Sequence, residues 1–272
     1  MTFLEPYTDP GEHFTTGLPD EPDRFSDAGI ISRAPVEVTH ELASLLASLH
    51  ERVSPNYRPR EIILELLAEL ERKSAFTAQH SMRVATVARI LAKSLHLDIV
   101  AVERISLAAL LHDTGKLVIP IRILNKKHAL SDAERRCIQT HAVFTDVILS
   151  AFPIFDAIRG IATLHHEHLN GTGYPFGYGG ADLSMETRII TVSDIFVALT
   201  EDRPYRPGVT NSAALHKLQM LANEDIVDRR LVKCARQHLL PYNHSSAIWF
   251  PSRTAISIAL DYNSLQTAGM IS

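Results

Sequence analysis

Two aspartates stand where a folded chain can least tolerate an unpaired charge. Asp113 follows Ser106-Leu-Ala-Ala-Leu-Leu-His112, and Asp194 lies within Ile189-Ile-Thr-Val-Ser-Asp-Ile-Phe-Val-Ala-Leu199. Both runs are mostly apolar, so helices made of them are among the most buried the chain can form. A lone carboxylate in such surroundings costs several kcal/mol. The fold must therefore bring each aspartate a cation, a dense set of hydrogen bonds or a metal ion. With 272 residues, 46% of them hydrophobic, there is material for one large domain or two modest ones at roughly 150 residues each.

Hydrophobic spacing is helical almost throughout. Residues 1–35 hold five prolines among acidic residues and read as an irregular acidic lead. Leu42, Leu45, Leu46 and Leu49, then Ile62, Leu66, Leu67 and Leu70, predict two helices in an N-terminal extension, 36–72. Their leucine faces read first as core packing and second as a homodimer seam. Further helices are expected over 76–95, 98–112, 131–150, 155–166, 184–201, 210–222 and 226–239, which places the main domain at 73–240. Ser131-Asp-Ala-Glu134 is a capping-box sequence that marks one helix start. Glycines and Pro175 between 170 and 180 force a long loop. Only 247–260, in a C-terminal tail (241–272) of unassigned role, alternates well enough for a short hairpin. The class is all-α.

A formal charge of −4 and a pI near 6.4 give no broad positive field, which argues against DNA, RNA or an anionic membrane as the main partner. Any anion must be met by local charge. Cys137 and Cys234 make no disulfide framework and no CxxC pair. With no basic n-region and no apolar run near the roughly 20 residues that span a bilayer, the expectation is no membrane span and a cytoplasmic location. The unusual count is histidine, 14 residues.

Five of those histidines fall on successive helices beside the two aspartates: His80, His112 with Asp113, His141, His165 with His166, and Asp194. A bundle assembles a metal site in its interior in this way. Seven mixed imidazole and carboxylate donors suit two divalent ions about 3.5–4 Å apart, with iron, manganese or zinc favoured over thiolate chemistry. Singly, His80 or His141 is more often a hydrogen-bonded core histidine than a ligand, and His112-Asp-Thr-Gly115 also reads as a helix C-cap. Joint occurrence is what lifts the set above those readings.

The run His112-Asp-Thr-Gly-Lys116, then His141, His165-His-Glu-His-Leu-Asn-Gly-Thr-Gly-Tyr-Pro175, Asp194-Ile-Phe-Val-Ala-Leu-Thr and Arg203-Pro-Tyr-Arg206 resembles the HD-GYP family, bacterial signalling phosphodiesterases of the HD phosphohydrolase superfamily. The resemblance covers about residues 70–238. It implies a multi-helix bundle with an interior site of two divalent metal ions, iron or manganese, and hydrolysis of cyclic di-GMP to pGpG, in some members onward to GMP. It assigns the metals to His80, His112, Asp113, His141, His165, His166 and Asp194, with Asp113 bridging. It gives Lys116 a catalytic and substrate-binding role, assigns substrate phosphate to Arg203 and Arg206, and makes Tyr174 a pocket residue that also docks diguanylate cyclase (GGDEF) domains.

The sequence departs from the family pattern at four positions. Phe76 replaces a glutamate that holds a third metal in some members, which implies two metals and pGpG as the main product. Ser74, Asn170 and Thr145 replace an aspartate, an acidic residue and a glycine around the site. About 60 residues before the domain are too few for a receiver of roughly 100 or more. Two other readings stay open: a slow cyclic-dinucleotide receptor or scaffold that docks a cyclase, and a phosphodiesterase for another cyclic dinucleotide such as cyclic GMP-AMP.

Overall fold

The computed structural model describes residues 36–52, 59–202 and 207–242. The acidic lead, the expected hairpin over 247–260 and residues Arg203 and Arg206 lie outside the described residues. Within them the chain is helical and contains no strand: α1 Val36–Arg52, α2 Pro59–Lys73, α3 Ala75–Ser94, α4 Ile99–Leu111, α5 Ile121–Leu124, α6 Asp132–Gln139, α7 His141–Ser150, α8 Asp156–Thr163, α9 Met185–Thr200, α10 Asn211–Asn223 and α11 Arg229–Leu239. A 3₁₀ turn, Thr114–Val118, follows α4.

Short polar side chains set where the helices start. Ser74 Oγ accepts from Thr77 N ahead of α3, Asp98 Oδ1 from Ala101 N ahead of α4, and Ser184 Oγ from Thr187 N ahead of α9. Each supplies a partner for a main-chain donor that the first turn leaves without one. The expected capping box opens α6, with Ser131 and Glu134 satisfying each other's main-chain N–H groups.

The long central helix α3 packs against α2, α4, α9 and α11, and buries Val84, Ala85, Val87, Ala88, Leu91 and Ala92 among them. α4 is buried from Ala101 to Leu111 apart from Arg104, and α9 buries Ile189, Ile190, Val192, Phe196 and Val197. α9, which carries Asp194, and α4, which Asp113 follows by two residues, are thus enclosed, as their apolar runs require. Leu42, Leu49, Ile62, Leu66 and Leu70 of α1 and α2 are buried in the same core, with Leu45, Leu46 and Leu67 packed against it. α1 and α2 lie on the 3₁₀ turn, where Lys73 Nζ donates to Leu117 O at 2.7 Å.

One expected helix is two. The stretch 131–150 breaks at Thr140, because side chains take the carbonyls at the end of α6: Thr140 Oγ1 donates to Cys137 O at 2.7 Å and His141 Nδ1 to Ile138 O at 2.6 Å. No helix among the described residues is long and apolar enough to cross a membrane.

Candidate metal centre

Three of the histidines occupy the same local position. His112 follows the end of α4, His141 lies two residues past α6 and His165 two past α8. A helix end leaves its last carbonyls without main-chain partners. Each of these rings turns back and satisfies one of them, Nδ1 lying 2.7, 2.6 and 2.6 Å from Ala109 O, Ile138 O and Ala162 O. A carbonyl only accepts, so Nδ1 carries the proton and Nε2 presents a lone pair to the interior. An outer hydrogen bond of this kind orients metal-ligating histidines.

The lone pairs converge. His141 Nε2 and His165 Nε2 lie 3.5 Å apart, and the His112 and His165 rings meet edge to face at 4.7 Å. His166 packs against His165 and His141, with ring centroids at 3.9 and 5.1 Å. Asp113 stands between groups, Oδ2 at 3.4 Å from His112 Nε2 and Oδ1 at 3.4 Å from His141 Nε2. His80, from α3, places Nε2 2.9 Å from Asp194 Oδ1. The seven donors form three overlapping sets that could each hold a cation: His141, His165 and His166; His80, His112 and Asp194; His112, Asp113 and His165.

The charge balance shows what the cluster lacks. Burial lowers the pKa of His112, brings His141 down to about 4, and drives His165 and His166 well below the usual imidazole value. His112, His141 and His165 then face one another as neutral rings with their bare nitrogens inward, and the buried Asp113 Oδ1 has no hydrogen-bond partner. Burial also opposes ionisation of Asp113, but the adjacent Lys116 and the imidazoles outweigh it and hold the carboxyl well below the usual range. Asp194 stays ionised in the same way through its hydrogen bond from His80. For His80 burial opposes the charge, yet Asp194 and Glu201 on its two nitrogens raise it to about 9, so a proton sits where a metal ion would. Donors each about 2.1 Å from one ion stand about 3.0–3.4 Å apart, which matches these separations. The nitrogen and oxygen set fits divalent iron, manganese or zinc.

The surroundings hold this arrangement firmly. Lys116 Nζ donates to Asp113 Oδ2 at 2.6 Å from the 3₁₀ turn. Thr145 Oγ1 donates to His112 O at 2.8 Å and accepts from Gly115 N at 2.9 Å, stapling that turn to α7. A Cβ on Gly115 would meet His141 O at 1.9 Å, so only glycine allows this approach. Tyr174 stacks on His166 at 4.6 Å and 26°, and its N–H donates to His166 O at 3.1 Å. Asn170 Nδ2 donates to Glu224 O while its Oδ1 accepts from Thr172 N. Ser74, Thr145 and Asn170, the departures from the family pattern, thus each make a structural hydrogen bond. Phe76 stacks on the His80 ring at 6.4 Å and 16°, putting an apolar face against it.

Sequence reasoning missed two acidic residues. Glu201 Oε1 lies 2.9 Å from His80 Nδ1. Its signal was its spacing, seven residues from Asp194, which returns to the same face of α9. Glu167, beside His166, is buried and accepts from Phe176 N at 2.6 Å and Gly177 N at 3.1 Å, folding the loop back on the cluster. Burial pushes its carboxyl up, against those N–H donors. Arg203 and Arg206 belong to a segment whose described ends are tied together by Gly208 N to Asp202 Oδ1 at 2.9 Å and Val209 N to Leu199 O at 2.9 Å.

Comparison with known proteins agrees with this geometry. Residues 65–231 match the model of a family described as HD domain. Over 148 residues the chain is 45% identical to 3'3'-cGAMP-specific phosphodiesterase 3 of Vibrio cholerae, covering 54% of this chain and 32% of that one. Over 153 residues it is 33% identical to a cyclic di-GMP phosphodiesterase of Pseudomonas aeruginosa, covering 56% and 37%. The chain thus spans about a third of the length of these relatives. A solved HDG"Y"P protein of Bdellovibrio bacteriovorus superposes with a TM-score of 0.50 at 22% identity, over 60% of this chain and 52% of that one, a likeness of fold alone. The match over most of the helical region and the motifs around the cluster place the chain in the HD domain family, in its HD-GYP type.

Proposed function

We propose that this chain is a metal-dependent phosphodiesterase that opens a cyclic dinucleotide, converting cyclic di-GMP to pGpG. The observation that carries the reading is the cluster of five imidazoles and two carboxylates, in which the bare nitrogens of His112, His141 and His165 face inward and Asp113 Oδ1 lacks a hydrogen-bond partner. Two divalent ions held by His80, His112, Asp113, His141, His165, His166 and Asp194 would activate a water and neutralise phosphate oxygens.

The remaining roles follow from the chain's own residues. Of the two aspartates, Asp113 is the one with ion-pair contacts to both His112 and His141, which supports it as the carboxylate shared between the two halves. Lys116 sits partly exposed beside Asp113 and places its ammonium where substrate phosphate would approach. Tyr174, flat against His166, closes one wall and leaves its ring to shape the pocket. Arg203 and Arg206 supply guanidinium forks suited to phosphate oxygens, the local charge that a −4 chain needs. Phe76 against His80 supports two metals instead of three, with pGpG accumulating.

A second reading, 3'3'-cGAMP as the preferred substrate, is favoured by the 45%-identical relative. One assay decides between them. Purified protein loaded with Mn²⁺ or Fe²⁺ is incubated separately with cyclic di-GMP and 3'3'-cGAMP, and the linear products are resolved by chromatography. Accumulating pGpG with little GMP is the expected result. Turnover of 3'3'-cGAMP alone establishes the second reading, and binding of either dinucleotide without turnover overturns both in favour of a receptor.

A further inference from the structure

The ligand histidines divide by what their outer nitrogen meets. His112, His141 and His165 give Nδ1–H to neutral main-chain carbonyls, whereas His80 Nδ1 lies 2.9 Å from Glu201 Oε1. The Glu201 side chain is fully withdrawn from solvent. Its N–H donates to Val197 O at 2.9 Å, which keeps it in register with α9, and Arg83 Nη1 lies 3.7 Å from its other oxygen. Asp194 within α9 and Glu201 just past its end, seven residues on, clasp a single imidazole between them, Asp194 at Nε2 and Glu201 at Nδ1. Glu201 belongs to none of the three donor sets and stands behind the ring.

Three carbonyls show that a neutral acceptor is enough to orient a ring here, so a buried carboxylate adds something more than orientation. What it adds is charge: a carboxylate drawing on Nδ1–H makes the opposite nitrogen a stronger donor than a carbonyl does. Burying that charge is costly. We propose that Glu201 is a positioning residue that makes the two cation positions unequal. The position formed by His80, His112 and Asp194 takes a divalent cation first and more tightly, and the position formed by His141, His165 and His166 takes one second. The inference rests on the metal-binding reading of the centre.

Calorimetric titration of the metal-stripped full chain with Mn²⁺ tests it, independently of turnover. Two ions enter the unmodified chain in two resolved steps. Glu201→Gln keeps an oxygen that can accept Nδ1–H and removes only the charge. It weakens the tighter step about 10-fold and leaves the weaker one unchanged, while Glu201→Ala, which removes both functions, weakens the tighter step about 100-fold. Circular dichroism checks that helix content is retained, and the Gln variant decides if the Ala variant does not fold. Unchanged affinities in Glu201→Gln, or equal weakening of both steps in both variants, overturn the inference and leave the metal reading standing. An unmodified chain that takes up no ion overturns the metal reading, and the inference with it.

Discussion

The donor cluster and the loop over residues 167–182 treat buried polarity in opposite ways. In the loop, most polar groups find partners within the chain: Glu167 Oε1 takes two main-chain N–H groups, Asn170 ties Thr172 to Glu224, and Arg188 reaches Gly180 O and Leu183 O, with Glu167 Oε2 the exception. In the cluster, Asp113 Oδ1 has no partner and imidazole lone pairs face each other, although the rings of His80, His112, His141 and His165 are held from outside by hydrogen bonds. A region that satisfies itself keeps a shape. One that is rigid and left unsatisfied specifies what must be added to it.

The sharpest way to break that contrast is Asp113→Ala. It removes the carboxylate common to both halves and is expected to abolish uptake of both ions, a larger loss than the about 10–100-fold typical of an outer partner, together with all hydrolysis. Metal content after dialysis checks this, and retained hydrolysis in the depleted variant sinks the mechanism. Next comes Thr145→Val, nearly isosteric, which leaves Gly115 N and His112 O buried without their partner. It is expected to cost about 1–3 kcal/mol by chemical denaturation and to weaken metal binding as well.

The metal-free protein should also show the imbalance as a pH optimum of stability. His141, at about 4 in the fold against 6.5 when unfolded, opposes folding below pH 6.5, so stability rises with pH from 4 to 6.5. His80, raised to about 9, contributes stability that is fully present below 6.5 and lost as pH rises through 9. Melting temperature is therefore expected to peak between pH 6 and 7 without metal, and adding Mn²⁺ should flatten the alkaline limb by replacing the proton on His80. A monotonic metal-free profile contradicts this balance. The smallest effect belongs to the loop: Asn170→Ala is expected to cost about 0.5–1.5 kcal/mol and to raise KM with metal uptake unchanged, since only loop contacts are lost.

How legible the site was depended on how much each residue conflicted with its neighbours. Asp113 and Asp194 stood out because a carboxylate inside or directly after an apolar helix demands an explanation, and the same argument drew in the five histidines now seen together. Glu201 raised no such conflict, because it follows the apolar run of α9 and looks like an ordinary polar helix end. Thr145, Ser74 and Asn170 could be noted only as departures, since a hydroxyl or amide gains its role from a carbonyl or N–H far away in the chain. The helix over 131–150 looked continuous because nothing in its spacing tells that Thr140 and His141 will take over the carbonyls of Cys137 and Ile138. Helix class and most helix ends were readable from apolar period and caps; which dinucleotide fits was not, as no residue of the 176–183 loop carries a base-reading pattern.

The placement of three histidines just past the ends of α4, α6 and α8 has an electrostatic consequence. α4 and α8 each bring a C-terminal end, carrying up to about half an elementary negative charge, toward the same small volume that already holds two ionised aspartates, while at His141 the end of α6 meets the start of α7 and the two offset. Backbone dipoles thus make the centre a trap for cations in a chain of only modest net charge. On the proposed reading, the same field would repel a dinucleotide dianion until that charge is neutralised, which puts the metal first and the nucleotide after.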